Sequence, residues 1–96
     1  MAKVAIRDLR NCLRIYYTHP EIGNSEIMEL FGVGRATATT LKKSVRKAQI
    51  ENNIMVLDKT NVHTETAFKV WGIDIEDIER RVKKLEKLGL YEGASA

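Results

Sequence analysis

Apolar residues recur along the chain at helical rather than strand spacing. Ile6, Leu9, Leu13 and Tyr16 follow at intervals of three and four, the core-facing stripe of a first helix predicted over residues 4–18. His19-Pro20 should end it, because the residue before a proline avoids the α region. Ile22 and Ile27 bracket Gly23 at hydrophobic-staple spacing, and Glu26 stands where its charge suits a helix start. A short helix is expected there, with Met28, Leu30 and Phe31 as its apolar face. Gly32 supplies a sharp turn, since a residue without Cβ enters a left-handed backbone freely. Val33 fills the angle, and Gly34 is a permissive N-cap for the next helix. In that helix Ala38, Leu41 and Val45 face inward, which leaves Arg35, Ala36, Thr39, Thr40 and Lys43 facing out. It should run past Lys47 and end or bend at Asn52-Asn53. Residues 54–57 are all apolar, and their spacing fits a last helical turn or a short extended segment. The following DKTN carries one turn signal and no second alternating strand, so no full β-wing is expected.

The second half repeats this pattern at an offset of forty residues. Ile22 answers to Val62, Ile27 to Ala67, Met28 to Phe68, Leu30 to Val70 and Phe31 to Trp71. Gly32 answers to Gly72, Val33 to Ile73, Ala38 to Ile78 and Val45 to Leu85. A second hairpin of the same shape follows, with a short helix at 64–71 and a long one at 75–88. Asp74 is the N-cap of the long helix and Gly89 its stop. Two amphipathic hairpins alike only by chance would predict the same architecture. The fold class is therefore all-α with about five helices: a three-helix unit over 1–57, a helical hairpin over 58–90 and a flexible tail over 91–96. Ile75, Ile78, Val82 and Leu85 form a seam, with Leu88 continuing it. It can pack on the first unit or on a second copy, and a homodimer through it is the expectation. Phe68 and Trp71 are expected as core or dimer-interface anchors.

Charge divides the chain where the pattern does. Residues 1–50 carry nine basic and four acidic side chains, residues 51–96 seven and nine. The overall charge of +3 thus hides a basic half and a mildly acidic one. Between Gly32 and Ile50 stand Arg35, Lys42, Lys43, Arg46 and Lys47 and no acidic residue. A basic helix face of this kind is the electrostatic footprint of phosphate contacts. A merely solvated face is the plainer explanation of any basic run, but here the run coincides with the outward side of one helix. In the second hairpin Asp74, Glu76, Asp77 and Glu79 open the corresponding helix, where they would repel phosphate.

The stretch EIMELFGVGRATATTL, from Glu26 to Leu41, resembles the bacterial and phage helix–turn–helix family, seen in transcription repressors and in excision or replication regulators. Gly32 matches the turn glycine of that family, Val33 the residue after it, and Ala38 and Leu41 its buried recognition-helix positions. Two residues depart from the pattern: Met28 stands where the family prefers Ala, and Gly34 where Ser is usual. The resemblance covers about a quarter of the chain. It implies that Arg35, Ala36, Thr39, Thr40 and Lys43 face DNA, with Arg35 the candidate for a bidentate guanine contact. Lys42, Lys43, Arg46 and Lys47, with Arg7 and Arg14 from the first helix, are then expected to neutralise the phosphate backbone. The partner so implied is double-stranded DNA, and the role that of a prokaryotic or phage transcriptional regulator.

Other classes find little in the chain. Its one cysteine, Cys12, lies on an apolar stripe and permits no internal disulfide. No apolar run reaches membrane-spanning length, and the first residues lack the apolar core of a signal peptide, which points to the cytoplasm. His19 and His63 are far apart and have no ligand-spaced partner, so neither a metal nor a cofactor is expected. Gly32-Val33-Gly34 lacks the strand and the Gly-Lys-Ser/Thr of a phosphate loop. Ser25, Ser44 and Ser95 lack a triad context, and no enzyme is expected. The rival reading is a helical adaptor that uses the fold as scaffold and binds a larger partner through its Trp71 or Ile78 face. A bare apolar patch away from the basic helix would favour it, a closed surface with one basic face the regulator.

Overall fold

Asp8 determines where the first helix begins. Its carboxylate accepts from the Arg10 N–H at 3.0 Å and the Asn11 N–H at 3.3 Å, and its own backbone is extended. Helix α1 therefore spans Leu9–Thr18 in the computed structural model, which describes residues 5–89. The expected start at Val4 and the expected tail over 91–96 lie outside the described residues. Ile6 precedes the helix yet packs against the core, and beside it the Arg7 N–H donates to the Leu30 carbonyl at 2.9 Å. His19 ends the helix in an extended conformation, as its place before Pro20 requires.

Strand β1, Glu21–Ile22, leads into helix α2, Asn24–Phe31, whose N-cap is Gly23. The Gly23 N–H donates to the Glu26 carboxylate at 2.8 Å, the half of a capping box that a glycine can make. Gly32 stops α2 with φ 65° and ψ 39°, and both its N–H and that of Val33 donate to the Met28 carbonyl. Helix α3, Arg35–Glu51, starts after Gly34 and ends at Asn52. Asn53 then turns left-handed at φ 55°, and the Ile54 N–H folds back onto the Gln49 carbonyl at 2.8 Å. Residues 54–57 thus leave the helix as irregular chain, and neither a helical turn nor a wing forms there.

Strand β2, Val62–His63, is followed by α4, Thr64–Val70, and α5, Ile75–Leu88. The offset of forty holds at the level of the backbone. Gly23 and His63 are N-caps, as are Gly34 and Asp74, and Gly32 and Gly72 are both left-handed at φ 65° and 73°. The Val33 bond to Met28 recurs as Ile73 N–H to Phe68 carbonyl, and that of Ala38 to Gly34 as Ile78 to Asp74. Counterparts also meet in space. Ile22 pairs with Val62 across the antiparallel β1–β2 ladder, and Phe31 packs edge-on to Trp71 with ring centres 5.3 Å apart. At these two places the hairpins meet through equivalent positions.

The fold is all-α apart from that short ladder: a three-helix unit followed by a helical hairpin. Helix α1 packs on α2 and α5, and α3 on α2 and α4. Cys12 and Ile15, Ile22 and Val62, Ile27 and Leu30, Ala38 and Val45, Ala67 and Phe68, and Ile78 and Val82 all join one buried cluster. The stretches 1–57 and 58–90 therefore share a core. Ile78 and Val82 are each 7% exposed, so the central residues of the α5 seam are buried within the chain itself. Among the described residues no helix is long and apolar enough to cross a membrane.

Candidate nucleic-acid interface

The left-handed Gly32 and the extended Gly34 point α3 away from α2, and its outward face follows from the helical period. Arg35, Ala36, Thr40, Lys43 and Lys47 are exposed and Thr39 is half-buried. Thr37 and Ser44, not singled out from the sequence, are exposed too. Neither is charged, so a charge count passes over them, but they lie one position beyond Ala36 and Lys43 on the same helix. The Thr40 hydroxyl donates back to the Ala36 carbonyl at 3.1 Å, which leaves its oxygen as an acceptor. Among the described residues no carboxylate lies within 4.0 Å of Arg35, Lys43 or Lys47, so their charges are uncompensated at close range.

Lys42 does not belong to that face. Only 6% of it is exposed, and its Nζ donates to the Thr60 carbonyl at 2.8 Å. Burial, then the charges of Arg46 and Arg35, lower its affinity for a proton below the ordinary lysine value. One position along from Lys43, a helical residue is turned by about 100°, and for Lys42 this turn leads inward to the loop. The expectation that Lys42 neutralises phosphate is corrected accordingly. Arg46 is half-buried and reaches the same loop, with Nη2 at 3.3 Å from the Lys59 carbonyl and 3.4 Å from that of Thr60. Both cations tether the 52–61 segment to α3.

That segment is anchored from its other side as well. The Glu21 carboxylate accepts from the Leu57 and Asp58 N–H groups, and Asp58 accepts from both the hydroxyl and the N–H of Thr60. Those two bonds from Thr60 hold the Asp58 carboxyl below its usual range. Buried Gln49 accepts from the His63 N–H at 2.6 Å, which joins α3 to β2. His63 is the N-cap of α4, its Nδ1 accepting from the Thr66 N–H, and His19 closes α1.

The first-helix arginines separate. Arg7 is exposed, and its Cδ lies 3.3 Å from where a Cβ on Gly32 would stand, so it borders the turn into α3. Arg14 is held by Glu29 at 2.9 Å and by Asn11 at 2.9 Å, in a bridge from α1 to α2. The corresponding face of the second hairpin turns towards α1. Ile75, Glu76 and Glu79, which answer to Arg35, Ala36 and Thr39, line a groove of about 500 Å³ with Tyr16 and Tyr17 of α1. The Tyr17 hydroxyl donates to Glu79, and that carboxylate raises the phenol above its usual range. Among the described residues no cluster of three or more His, Cys, Asp or Glu could hold a metal ion. No protein-family model, curated protein or solved structure matches the chain.

Proposed function

We infer that the protein binds double-stranded DNA by laying the amino-terminal half of α3 in the major groove, as a prokaryotic or phage transcriptional regulator. The observation that carries this reading is the exposed face of α3, where Arg35, Lys43 and Lys47 stand without an acidic partner directly after a left-handed glycine turn. An unpaired guanidinium at the first turn suits a bidentate contact to guanine, and Ala36 suits a thymine methyl. Lys43, with Arg7 beside the turn, suits phosphates. Lys42 has no part in this, and Arg14 and Arg46 would first have to leave Glu29 and the Thr60 carbonyl.

The adaptor reading has less to stand on. Ile78 is buried, and Trp71 is half-buried with its indole N–H on the Leu41 carbonyl at 3.3 Å. The test is fluorescence anisotropy on a pool of random duplex DNA at two salt concentrations. Binding should weaken steeply with salt, and Lys43→Ala should reduce the salt slope by about one unit. On a selected site Arg35→Ala should flatten preference at one base pair, a loss of about 1–3 kcal/mol of discrimination. No binding at low salt by the folded protein would sink the reading.

A further inference from the structure

Ile50, Met55 and Leu57 are 78%, 92% and 100% exposed, and all three stand around the carboxyl-terminal end of α3. They are held there by the Ile54 N–H on Gln49 and the Leu57 N–H on Glu21, so their exposure belongs to an anchored loop. Exposed apolar groups concentrated along one short stretch of chain mark an interaction surface. We propose that this end of α3 is a homodimer interface, and that a second copy of the chain covers it about a two-fold axis.

Three features fit a second copy. First, the middle of the α5 seam, Ile78 and Val82, is buried in the chain's own core, while Ile75 and Leu85 are half-buried and Leu88 is exposed. Among the described residues these three are the most exposed of the large apolar side chains, ahead of Tyr17, Leu88 and Val70. Second, the charges beside Ile50 are self-complementary. Lys47 and Glu51 are both exposed, and among the described residues neither has an ion-pair partner within 4.0 Å. In a two-fold contact each surface meets itself reversed, so Lys47 of one protomer can face Glu51 of its partner and the converse. Third, the geometry suits the proposed function, and this part alone rests on the DNA reading. From the level of buried Ala38, midway among the outward residues along the axis, to Ile50 is about 18 Å of helix, so two copies joined at that end hold their reading residues up to about 36 Å apart. Half-sites one turn apart lie about 34–36 Å from centre to centre. Three side chains alone fall short of the roughly 800 Å² per partner of a standard interface, so the contact is a weak one with a polar rim.

Sedimentation equilibrium of the full chain without DNA tests the proposal over a range of concentrations. A reversible monomer–dimer equilibrium is expected. Met55→Glu and Leu57→Glu should each weaken it by roughly tenfold or more while helical circular dichroism stays unchanged. Lys47→Glu should weaken it too, and Lys47→Glu/Glu51→Lys should restore it. A protein monomeric at every concentration would overturn the proposal and leave the apolar end to a different partner. So would a dimer indifferent to Met55→Glu and Leu57→Glu. Because the readout excludes DNA, a dimer that binds no duplex would overturn the DNA reading alone, and a monomer that binds duplex the dimer alone.

Discussion

Neighbouring residues of like charge do unlike things in α3. Lys42 holds a loop and Lys43 faces solvent, although no charge count distinguishes them. Lys42→Ala should therefore lower stability by about 0.5–1.5 kcal/mol in urea unfolding, because it removes the shorter of the two bonds that tie the Thr60 carbonyl to α3. Lys43→Ala should change stability by less than about 0.5 kcal/mol and act on DNA affinity instead. Cys12 offers a second test. It is fully buried, and burial raises its thiol from 9.0 to about 11. Below 9.0 the thiol is protonated in the folded and the unfolded chain alike. Above it the unfolded thiol ionises while the folded one keeps its proton, so this group removes stability as pH rises towards about 11. Lys42, whose proton affinity is lowered, acts in the opposite sense on the alkaline side. The quantity to measure is thus the difference in alkaline slope between the wild type and Cys12→Ala, and the wild type should fall more steeply. The folded thiol should also resist a thiol reagent that the unfolded chain consumes at once.

At the scale of elements, glycine position decides the outcome. Gly32 and Gly72 both adopt positive φ, and an added Cβ at Gly32 would also press on Arg7 at 3.3 Å. Either change to alanine should cost about 1–2 kcal/mol by thermal or urea unfolding, with Gly32 the more sensitive. Gly34 has an ordinary extended backbone and nothing within 4 Å of a Cβ. Gly34→Ser should therefore stabilise the start of α3 by a few tenths of a kcal/mol. These elements were legible because their signals are local. The staple around Gly23, the turn glycines, the Asp74 cap and the apolar stripes each concern residues within a turn or two. What escaped was longer-range or too fine for periodicity. The β1–β2 ladder joins residues forty apart, and the inward path of Lys42 depends on where a distant loop carbonyl lies. Asp8 stands between Ile6 and Leu9 of the apolar stripe, whose spacing runs on past the cap. On α3 the exposure of Arg35, Ala36, Thr40, Lys43 and Lys47 followed from the period alone, while Arg14 on α1 and Arg46 on α3 have partners no spacing announces.

At the scale of the whole molecule, the two hairpins depend on each other. Phe68 lies 2% exposed against Tyr16 with ring centres 5.0 Å apart, so a residue of the second hairpin fills the space beside α1. Phe68→Ala should lower stability by about 3–5 kcal/mol and loosen the first unit as much as the second. A fragment ending at residue 57 lacks Val62, Ala67, Phe68, Ile78 and Val82 from the common cluster. It should show no cooperative unfolding transition by circular dichroism. A fragment that unfolded cooperatively would mean that the first unit has a sufficient core of its own.

The pairing of Ile22 with Val62 also has a consequence for synthesis. A ribosome delivers the amino-terminal residues first, at roughly 5–20 per second, so Val62 follows Ile22 by about 2–8 s and Val82 by about 3–12 s. Ile22 therefore waits for Val62, and longer for Val82, before the cluster they share can close. Once Lys47 has been added, and until Val82 follows, the basic Arg35-to-Lys47 stretch exists without the finished core that orients it.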